Sequence, residues 1–192
     1  MFRLSRWMTL SIRSTRVAMF AIATLCASAA NQGAAMPIEQ EPHYDFTIYA
    51  EYSQFFLGDS GFNGDTASPD FWTEPALQRR LAIVPPSLIA VGTGRYDYVP
   101  VSVDVVSQVP SPETTGWNQI VEASIDIPSG RLVVDGPTLW DPGSSPEINL
   151  PPGTYRARVM YGALHVPESD YYSVILWRDA QYSPPLVVLA GN

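Results

Sequence analysis

The sequence predicts an all-β fold, a two-sheet antiparallel β-sandwich with one short surface helix. From residue 40 onward, apolar runs of about 5 to 10 residues alternate with turns. These turns are rich in the 18 prolines and 13 glycines of the chain. Several runs alternate apolar and polar residues with a period of two, as half-buried strands do. No internal repeat indicates a propeller or a solenoid.

Eight segments are predicted to be strands. In "VPVSVDVVSQV" the valines recur at every second position, and "WNQIVEASIDI" alternates in the same way. Pro100 inside the first of these indicates an edge strand or a bulge, because proline donates no hydrogen bond to a ladder. The predicted strands are residues 46–57, 87–93, 99–105, 117–127, 131–135, 153–162, 171–177 and 185–189.

The first predicted strand has apolar and aromatic side chains on both faces. Alternation assigns Tyr49, Glu51 and Phe55 to one face, and assigns Phe46, Ile48, Ala50, Tyr52 and Phe56 to the other. We expect a strand covered on both faces at its aromatic centre. Tyr49, Glu51 and Phe55 are then the candidates for recognition if one face is open.

One segment, "TEPALQRRL", predicts the helix. Thr73 is a good N-cap, Pro75 is tolerated in the first helical turn, and the residues from Ala76 to Arg80 favour helix.

The chain of 192 residues is long enough to bury the core of one domain and short for two. We therefore expect a single β-sandwich domain over residues 40–192.

The first 35 residues predict a targeting segment. An arginine-rich start is followed by the apolar run "VAMFAIATLCASAA", which contains the small-x-small cleavage pattern Ala27-Ser28-Ala29. A cleaved signal peptide would make the protein periplasmic or secreted, with no stable membrane span after cleavage. Alternatively, residues 1–35 are a mis-annotated leader, and translation from Met36 would make the protein cytoplasmic.

Charge excludes one class of partner and favours another. The chain has 19 acidic and 11 basic residues, and every acidic residue follows the arginine-rich start. Such a body repels phosphate backbones, so we expect no direct nucleic-acid binding. It attracts basic proteins by electrostatic steering.

No cofactor is expected. The oxygen-rich loop of residues 59–70 overlaps a calcium-loop pattern at Asp59, Asn63, Asp65 and Asp70, but ordinary Asx turns explain the same residues. Cys26, the only cysteine, lies in the leader, and the two histidines lack zinc-ligand spacing. An acid and base pair of His165 with Glu168 or Asp170 would indicate a hydrolase, but no motif supports a catalytic site.

Four segments resemble the competence protein J family, small bacterial proteins whose named member inhibits a DNA-uptake nuclease. "YAEYSQFFLGD" is similar to a family opening with Y-x-Q-F-x-x-x-D, and "FWTEPAL" is similar to a W-T-x-x-A element. "INLPPGTYRARVMYG" resembles an L-P-x-G-x-Y strand start, and "YYSVILW" resembles an aromatic terminal strand. The order and spacing of these segments hold over residues 45–178.

The resemblance implies a non-catalytic protein that binds and inhibits a bacterial nuclease, either a DNA-uptake nuclease or a toxin-like one. An acidic surface would occupy the basic site where DNA phosphates bind. The candidate partner-binding residues are Tyr49, Glu51, Phe55, Asp59, Asp65, Asp70 and Trp72.

The sequence is also compatible with a different function. An exported β-sandwich could bind carbohydrate or envelope components through aromatic stacking platforms, because the rings of Tyr and Trp offer large rigid apolar faces. The candidate platforms are Trp72, Tyr96, Tyr98 and Trp140.

Overall fold

The protein is described by a computed structural model over residues 41–68, 70–141 and 143–191. The predicted leader, residues 1–35, lies outside the described residues. The strands, the helix and a 3-10 turn at Glu51–Ser53 have the following bounds. They are β1 His43–Tyr49, β2 Gln54–Asp59, α1 Glu74–Gln78, β3 Leu81–Val84, β4 Leu88–Gly92, β5 Tyr98–Val106, β6 Gln119–Ile127, β7 Arg131–Asp135, β8 Glu147–Asn149, β9 Gly153–Gly162, β10 Tyr171–Arg178 and β11 Leu186–Leu189.

The strands form two sheets. One has six strands in the order β1-β5-β10-β9-β6-β11, and the other has five in the order β3-β4-β2-β7-β8. The predicted all-β class with one short helix is confirmed. Neighbouring strands run antiparallel except β5 and β10, which are parallel, so the expectation of a wholly antiparallel sandwich is wrong for this pair.

The larger core contains side chains from both sheets. Leu57, Ile89 and Val134 of the five-stranded sheet share one buried cluster with Val121 and Val159 of the six-stranded sheet. Burial of apolar side chains contributes about 1.5–3 kcal/mol each, so this cluster is the main stabilising element.

A second, smaller core covers the other face of the five-stranded sheet. Phe56 of β2 packs there with Phe71 of the following loop and Ala76 of α1. Phe55 and Leu57 belong to the larger core, because successive side chains of a strand point to opposite faces. Strand β2 is therefore covered on both faces, as expected for its aromatic centre.

The six-stranded sheet also carries polar side chains in a buried position. The Glu122 carboxylate lies 2.8 Å from Arg158 Nη2 and 3.4 Å from Arg156 Nε. The two guanidinium groups also donate to main-chain carbonyls of residues 110–111 and 183–184. This Glu122 triad ties two loops to the sheet.

Helix α1 begins as the sequence predicts. The Thr73 hydroxyl accepts a hydrogen bond from the Ala76 amide at 3.4 Å, and proline lies in the first turn. Ala76 is buried against the second core, whereas Leu77 is 54% exposed.

Pro100 lies in an interior strand, so the expectation of an edge strand is wrong. Strand β5 pairs with β1 on one side, where Pro100 faces Thr47, and with β10 on the other. The β10 ladder begins at Val101, one residue later. Pro100 therefore precedes the part of β5 that has a strand on both sides.

Candidate protein-binding surface at a sheet-to-sheet turn

The predicted strand 46–57 is wrong as a single element, because the chain changes sheets in its middle. Strand β1 ends at Tyr49 in the six-stranded sheet, and β2 begins at Gln54 in the five-stranded sheet. Between them, Tyr52 and Ser53 have φ values of 53° and 55°, in the left-handed region that L-residues rarely adopt. Such a conformation costs about 1–3 kcal/mol per residue.

Main-chain hydrogen bonds hold this turn in place. The Ala50 amide donates to the Asp97 carbonyl at 3.0 Å, and the Thr93 amide donates to the Ser53 carbonyl at 2.7 Å. A third bond, from the Ser53 amide to the Ala50 carbonyl, closes the turn at 3.1 Å. The left-handed residues are thus fixed against the segment between β4 and β5.

Four tyrosines gather at this turn, and we call them the tyrosine surface: Tyr49, Tyr52, Tyr96 and Tyr98. The ring of Tyr49 lies 5.8 Å from that of Tyr96 and 5.0 Å from that of Tyr98, between centroids, and Tyr52 lies 6.0 Å from Tyr96. Tyr52, Tyr96 and Tyr98 are 69%, 50% and 59% exposed. Tyrosine combines a rigid apolar face with a polar tip, which is why it is enriched at protein interfaces.

Carboxylates flank the tyrosine surface. One oxygen of Glu51, Oε2, is shielded from solvent and has no hydrogen-bond partner among the described residues. Asp97 is exposed, and its Oδ1 accepts from the Tyr98 amide at 2.7 Å. Desolvation by neighbouring groups and the charge of Glu51 raise the pKa of Tyr96 above its ordinary value. The surface is therefore aromatic and negatively charged.

A groove of about 410 Å³ adjoins the tyrosine surface at Tyr52. The Trp72 indole forms part of its wall and donates from Nε1 to Gln54 Oε1 at 2.7 Å. This bond orients the ring, so the groove has a fixed aromatic side. The lining residues are Tyr52, Ser53, Trp72, Leu77, Arg80, Gly92 and Thr93.

Of the seven candidate partner-binding residues, Tyr49, Glu51 and Trp72 lie at the tyrosine surface or its groove. Asp65 and Asp70 are exposed in the loop after β2 and do not line the groove.

The prediction that Phe55 contacts a partner is wrong. Its side chain is fully buried, and its ring packs 5.4 Å from the ring of Tyr172 in the larger core. It cannot contact a partner in this conformation. The assignment failed because it assumed unbroken alternation across the turn.

The prediction that Asp59 lies on the partner-binding surface is also wrong. It is 2% exposed, and its carboxylate accepts from the Ser129 amide at 2.9 Å, from the Ser129 hydroxyl at 2.6 Å and from the Gly61 amide at 2.8 Å. Within residues 41–68, 70–141 and 143–191, no group of three or more His, Cys, Asp or Glu side chains is arranged to hold a metal ion. Asp59 therefore joins β2 to the β6–β7 turn, and the calcium-loop pattern does not form a ligand set.

Replacing Asp59 with alanine is expected to lower the free energy of unfolding by about 1–3 kcal/mol, because buried amide and hydroxyl donors lose their acceptor. The loss should be the same with and without millimolar calcium in urea denaturation. Asn63→Ala, an exposed change in the same loop, should alter stability by about 0.5 kcal/mol or less. Calcium-dependent stabilisation of the unsubstituted protein would restore the metal interpretation.

One of the two acids in the hydrolase alternative is engaged elsewhere in the protein. Asp170 is buried, forms an ion pair with Arg95 at 3.2 Å, and accepts from the Gly94 amide at 3.0 Å and from the Tyr172 hydroxyl. His165 lines a second groove, which shares Leu77 and Arg80 with the first. Its other lining residues are Gln78, Gln119, Leu164 and Gly191, and none of them is a carboxylate. No described hydrogen bond or ion pair links His165 to Glu168 or Asp170. The structure does not bring these residues together as an acid and base pair.

Trp140 does not line the groove that Trp72 lines. Its ring packs 6.0 Å from Phe56 and 6.4 Å from Phe62, and it lies so close to Gly58 that a Cβ there would approach it within 2.6 Å. It is partly buried and packs against the second core, as Trp72 does.

Sequence reasoning missed that Tyr52, Tyr96 and Tyr98 join Tyr49 in one surface. The motif "YDY", ending at the first residue of β5, was a signal, because residues two apart in an extended segment share a face. Alternation places Tyr52 on the face of Phe56, and no local pattern reveals its left-handed conformation.

No helix in the described part of the chain is long and apolar enough to cross a membrane.

Two solved chains share the fold. The crystal structure of ComJ, inhibitor of the DNA degrading activity of NucA, from Bacillus subtilis, matches with a TM-score of 0.57 and 13% identity, over 73% of this chain and 99% of that chain. Crocagin biosynthetic gene J matches with a TM-score of 0.50 and 20% identity, over 73% and 99%. No protein-family model and no curated protein sequence matches the chain. The comparisons thus show a ComJ-like fold and do not show family membership.

Proposed function

We propose that this chain is a non-catalytic protein-binding module that inhibits a bacterial nuclease, of the DNA-uptake or toxin-like kind, by covering its basic DNA-binding site. The observation that carries the proposal is the exposed tyrosine surface flanked by Glu51 and Asp97. The ComJ-like fold supports it, since ComJ is an inhibitor of the DNA degrading activity of NucA.

The distribution of charge favours a basic partner. Six of the seven described arginines use their guanidinium groups in hydrogen bonds to main-chain carbonyls or in ion pairs within the protein. Exposed carboxylates such as Asp65, Asp97 and Glu113 are in none of the described ion pairs. The outward field is therefore negative, which speeds encounter with a positively charged protein.

The partner is expected in the compartment to which residues 1–35 direct the chain. We propose the periplasm or the exterior if they are cleaved as a signal peptide, and the cytoplasm if translation begins at Met36. We also propose that residues 40–192 act as one domain.

The test is inhibition measured by DNA cleavage. The full chain is used to capture proteins from the native organism, and nuclease activity in the captured fraction is assayed with increasing amounts of added chain. We expect cleavage to fall. Cleavage that is insensitive to the added chain would contradict the inhibitor function.

Glu51→Lys is expected to weaken association with the captured nuclease by about tenfold or more, because it reverses the charge beside the tyrosine surface. It should also make association less sensitive to salt. Glu113→Lys is the matched control, since Glu113 is an exposed acid in the loop between β5 and β6, and association should change by about twofold or less. Full inhibition by the Glu51→Lys variant would show that the electrostatic mechanism is wrong.

A carbohydrate- or envelope-binding function remains the second candidate, because Tyr52 and Trp72 line the same groove. Aromatic rings beside a groove are suited to stack on sugar faces. Binding on a glycan array that is lost in Trp72→Ala, without nuclease inhibition, would favour this function. Trp140 does not contribute to this groove.

A further inference from the structure

We propose that the tyrosine surface, together with Glu51, receives an arginine side chain of the partner protein. This inference rests on the proposed function, since it names the group on a basic partner that the surface recognises.

The aromatic rings of the tyrosine surface are suited to bind a cation. The faces of aromatic rings carry partial negative charge and attract cations lying over them. The tyrosine surface offers rings in several orientations, with interplanar angles of 89° for Tyr49 and Tyr96, 49° for Tyr49 and Tyr98, and 80° for Tyr52 and Tyr96. Because the rings are tilted against one another, a cation at this turn can lie over the face of one tyrosine ring without having to fit between parallel rings. The planar guanidinium group stacks on such faces, whereas the compact ammonium group of lysine is more strongly hydrated.

The Glu51 carboxylate has an oxygen that lacks a hydrogen-bond donor among the described residues. Its Oε2 is shielded from solvent yet receives no hydrogen bond, and none of the described ion pairs involves Glu51. A shielded carboxylate oxygen without a donor is unfavourable. Arg80 lines the adjoining groove, but it does not pair with Glu51. An arginine from outside reaches Oε2 once the Glu51 side chain turns toward the surface, and it then supplies the missing donors with a planar group that matches a carboxylate.

Main-chain hydrogen bonds make the tyrosine surface rigid. The hydrogen bonds from Ala50 to Asp97 and from Thr93 to Ser53 hold the turn to the segment that carries Tyr96 and Tyr98. The two halves of the tyrosine surface are thus fixed relative to each other before any partner arrives. A preorganised surface loses less conformational entropy on binding.

The test uses the full chain with isotope-labelled tyrosine rings, observed by NMR during titration with three blocked tripeptides. They are Gly-Arg-Gly, Gly-Lys-Gly and Gly-citrulline-Gly, of which the last keeps the planar shape without the charge. We expect Gly-Arg-Gly to shift the ring signals of the tyrosine surface and to bind about tenfold more tightly than the citrulline peptide. The lysine peptide should bind more weakly than the arginine peptide.

Two variants, each with a control variant, test whether the peptide binds at the tyrosine surface. Glu51→Gln should weaken binding of Gly-Arg-Gly by about tenfold, whereas Glu113→Gln, with the same change of charge at an exposed loop position, should leave it unchanged. Tyr96→Leu should weaken binding, and Tyr182→Leu, at a tyrosine of similar exposure (43% against 50%), should not. Glu51→Gln removes no hydrogen bond from Oε2, so the variant should fold normally.

Equal affinity for the arginine and citrulline peptides, or equal losses in Glu51→Gln and Glu113→Gln, would overturn the inference. So would shifts confined to tyrosines outside the tyrosine surface. The proposed function is judged separately by DNA cleavage, so inhibition of a nuclease without a response to Gly-Arg-Gly would overturn this inference alone.

Discussion

Replacing Glu122 with alanine is expected to reduce the free energy of unfolding by about 3–5 kcal/mol, because it leaves two buried guanidinium groups without their counter-charge. The side chains of Arg156 and Arg158 are 7% and 6% exposed, and Glu122 is the acid that both of them contact. Urea denaturation followed by tryptophan fluorescence measures the loss. The ring of Trp177 lies 5.3 Å from the Arg158 guanidinium and reports on the site.

Glu113→Ala is the control for this change, because Glu113 is an exposed acid outside the described ion pairs. Its effect should be about 0.5 kcal/mol or less. A comparably small effect of Glu122→Ala would show that carbonyls and water satisfy the guanidinium groups without the carboxylate. The Glu122 triad would then not hold the loops to the sheet.

Gly136→Ala is expected to destabilise the protein by about 1–3 kcal/mol and to move the tyrosine surface, because the added methyl group forces the backbone apart. A Cβ at Gly136 would lie 2.2 Å from the Tyr49 carbonyl oxygen. That carbonyl cannot rotate away like a side chain, and it belongs to the last residue of β1. The measurements are urea denaturation and the ring signals of the tyrosine surface.

Gly191→Ala is the control for Gly136→Ala, since the nearest atom to its Cβ, at 3.3 Å, is in the side chain of Gln119 and can move. It should affect neither stability nor the tyrosine signals. Unchanged tyrosine signals in Gly136→Ala would mean that the end of β1 adjusts without moving the surface. In that case the close packing of β7 against β1 would not set the position of Tyr49.

Local sequence patterns predicted much of the architecture. The alternation in β5 follows from one face being buried and the other less so, and the capping of α1 depends on Thr73 and the residues just after it. In β6 the same alternation misleads, because this strand is buried on both faces along almost its whole length, so the half-buried strand expected there is wrong. The strands that were missed, Leu81–Val84 and Glu147–Asn149, have only four and three residues. Segments this short show too little periodicity to separate strand from loop.

The candidate site was only partly predictable. Tyr49, Glu51 and Trp72 were identified because aromatic and acidic side chains are concentrated in one stretch. Phe55 and Asp59 were misplaced because burial depends on which sheet a residue enters, and the turn between β1 and β2 changes that sheet. Asp59 in particular finds two of its three donors at Ser129, 70 positions along the chain.

The sequence by itself determined the all-β class, the start of the helix and the acidic character of the protein, because these depend on neighbouring residues or on composition. Only the tertiary structure decided that Tyr49 and Tyr52 meet Tyr96 and Tyr98 at one surface. The left-handed turn at Tyr52 and Ser53 is maintained by hydrogen bonds to residues about 40 positions away in the sequence. Interactions between segments so far apart leave no periodic signal in the sequence of either segment.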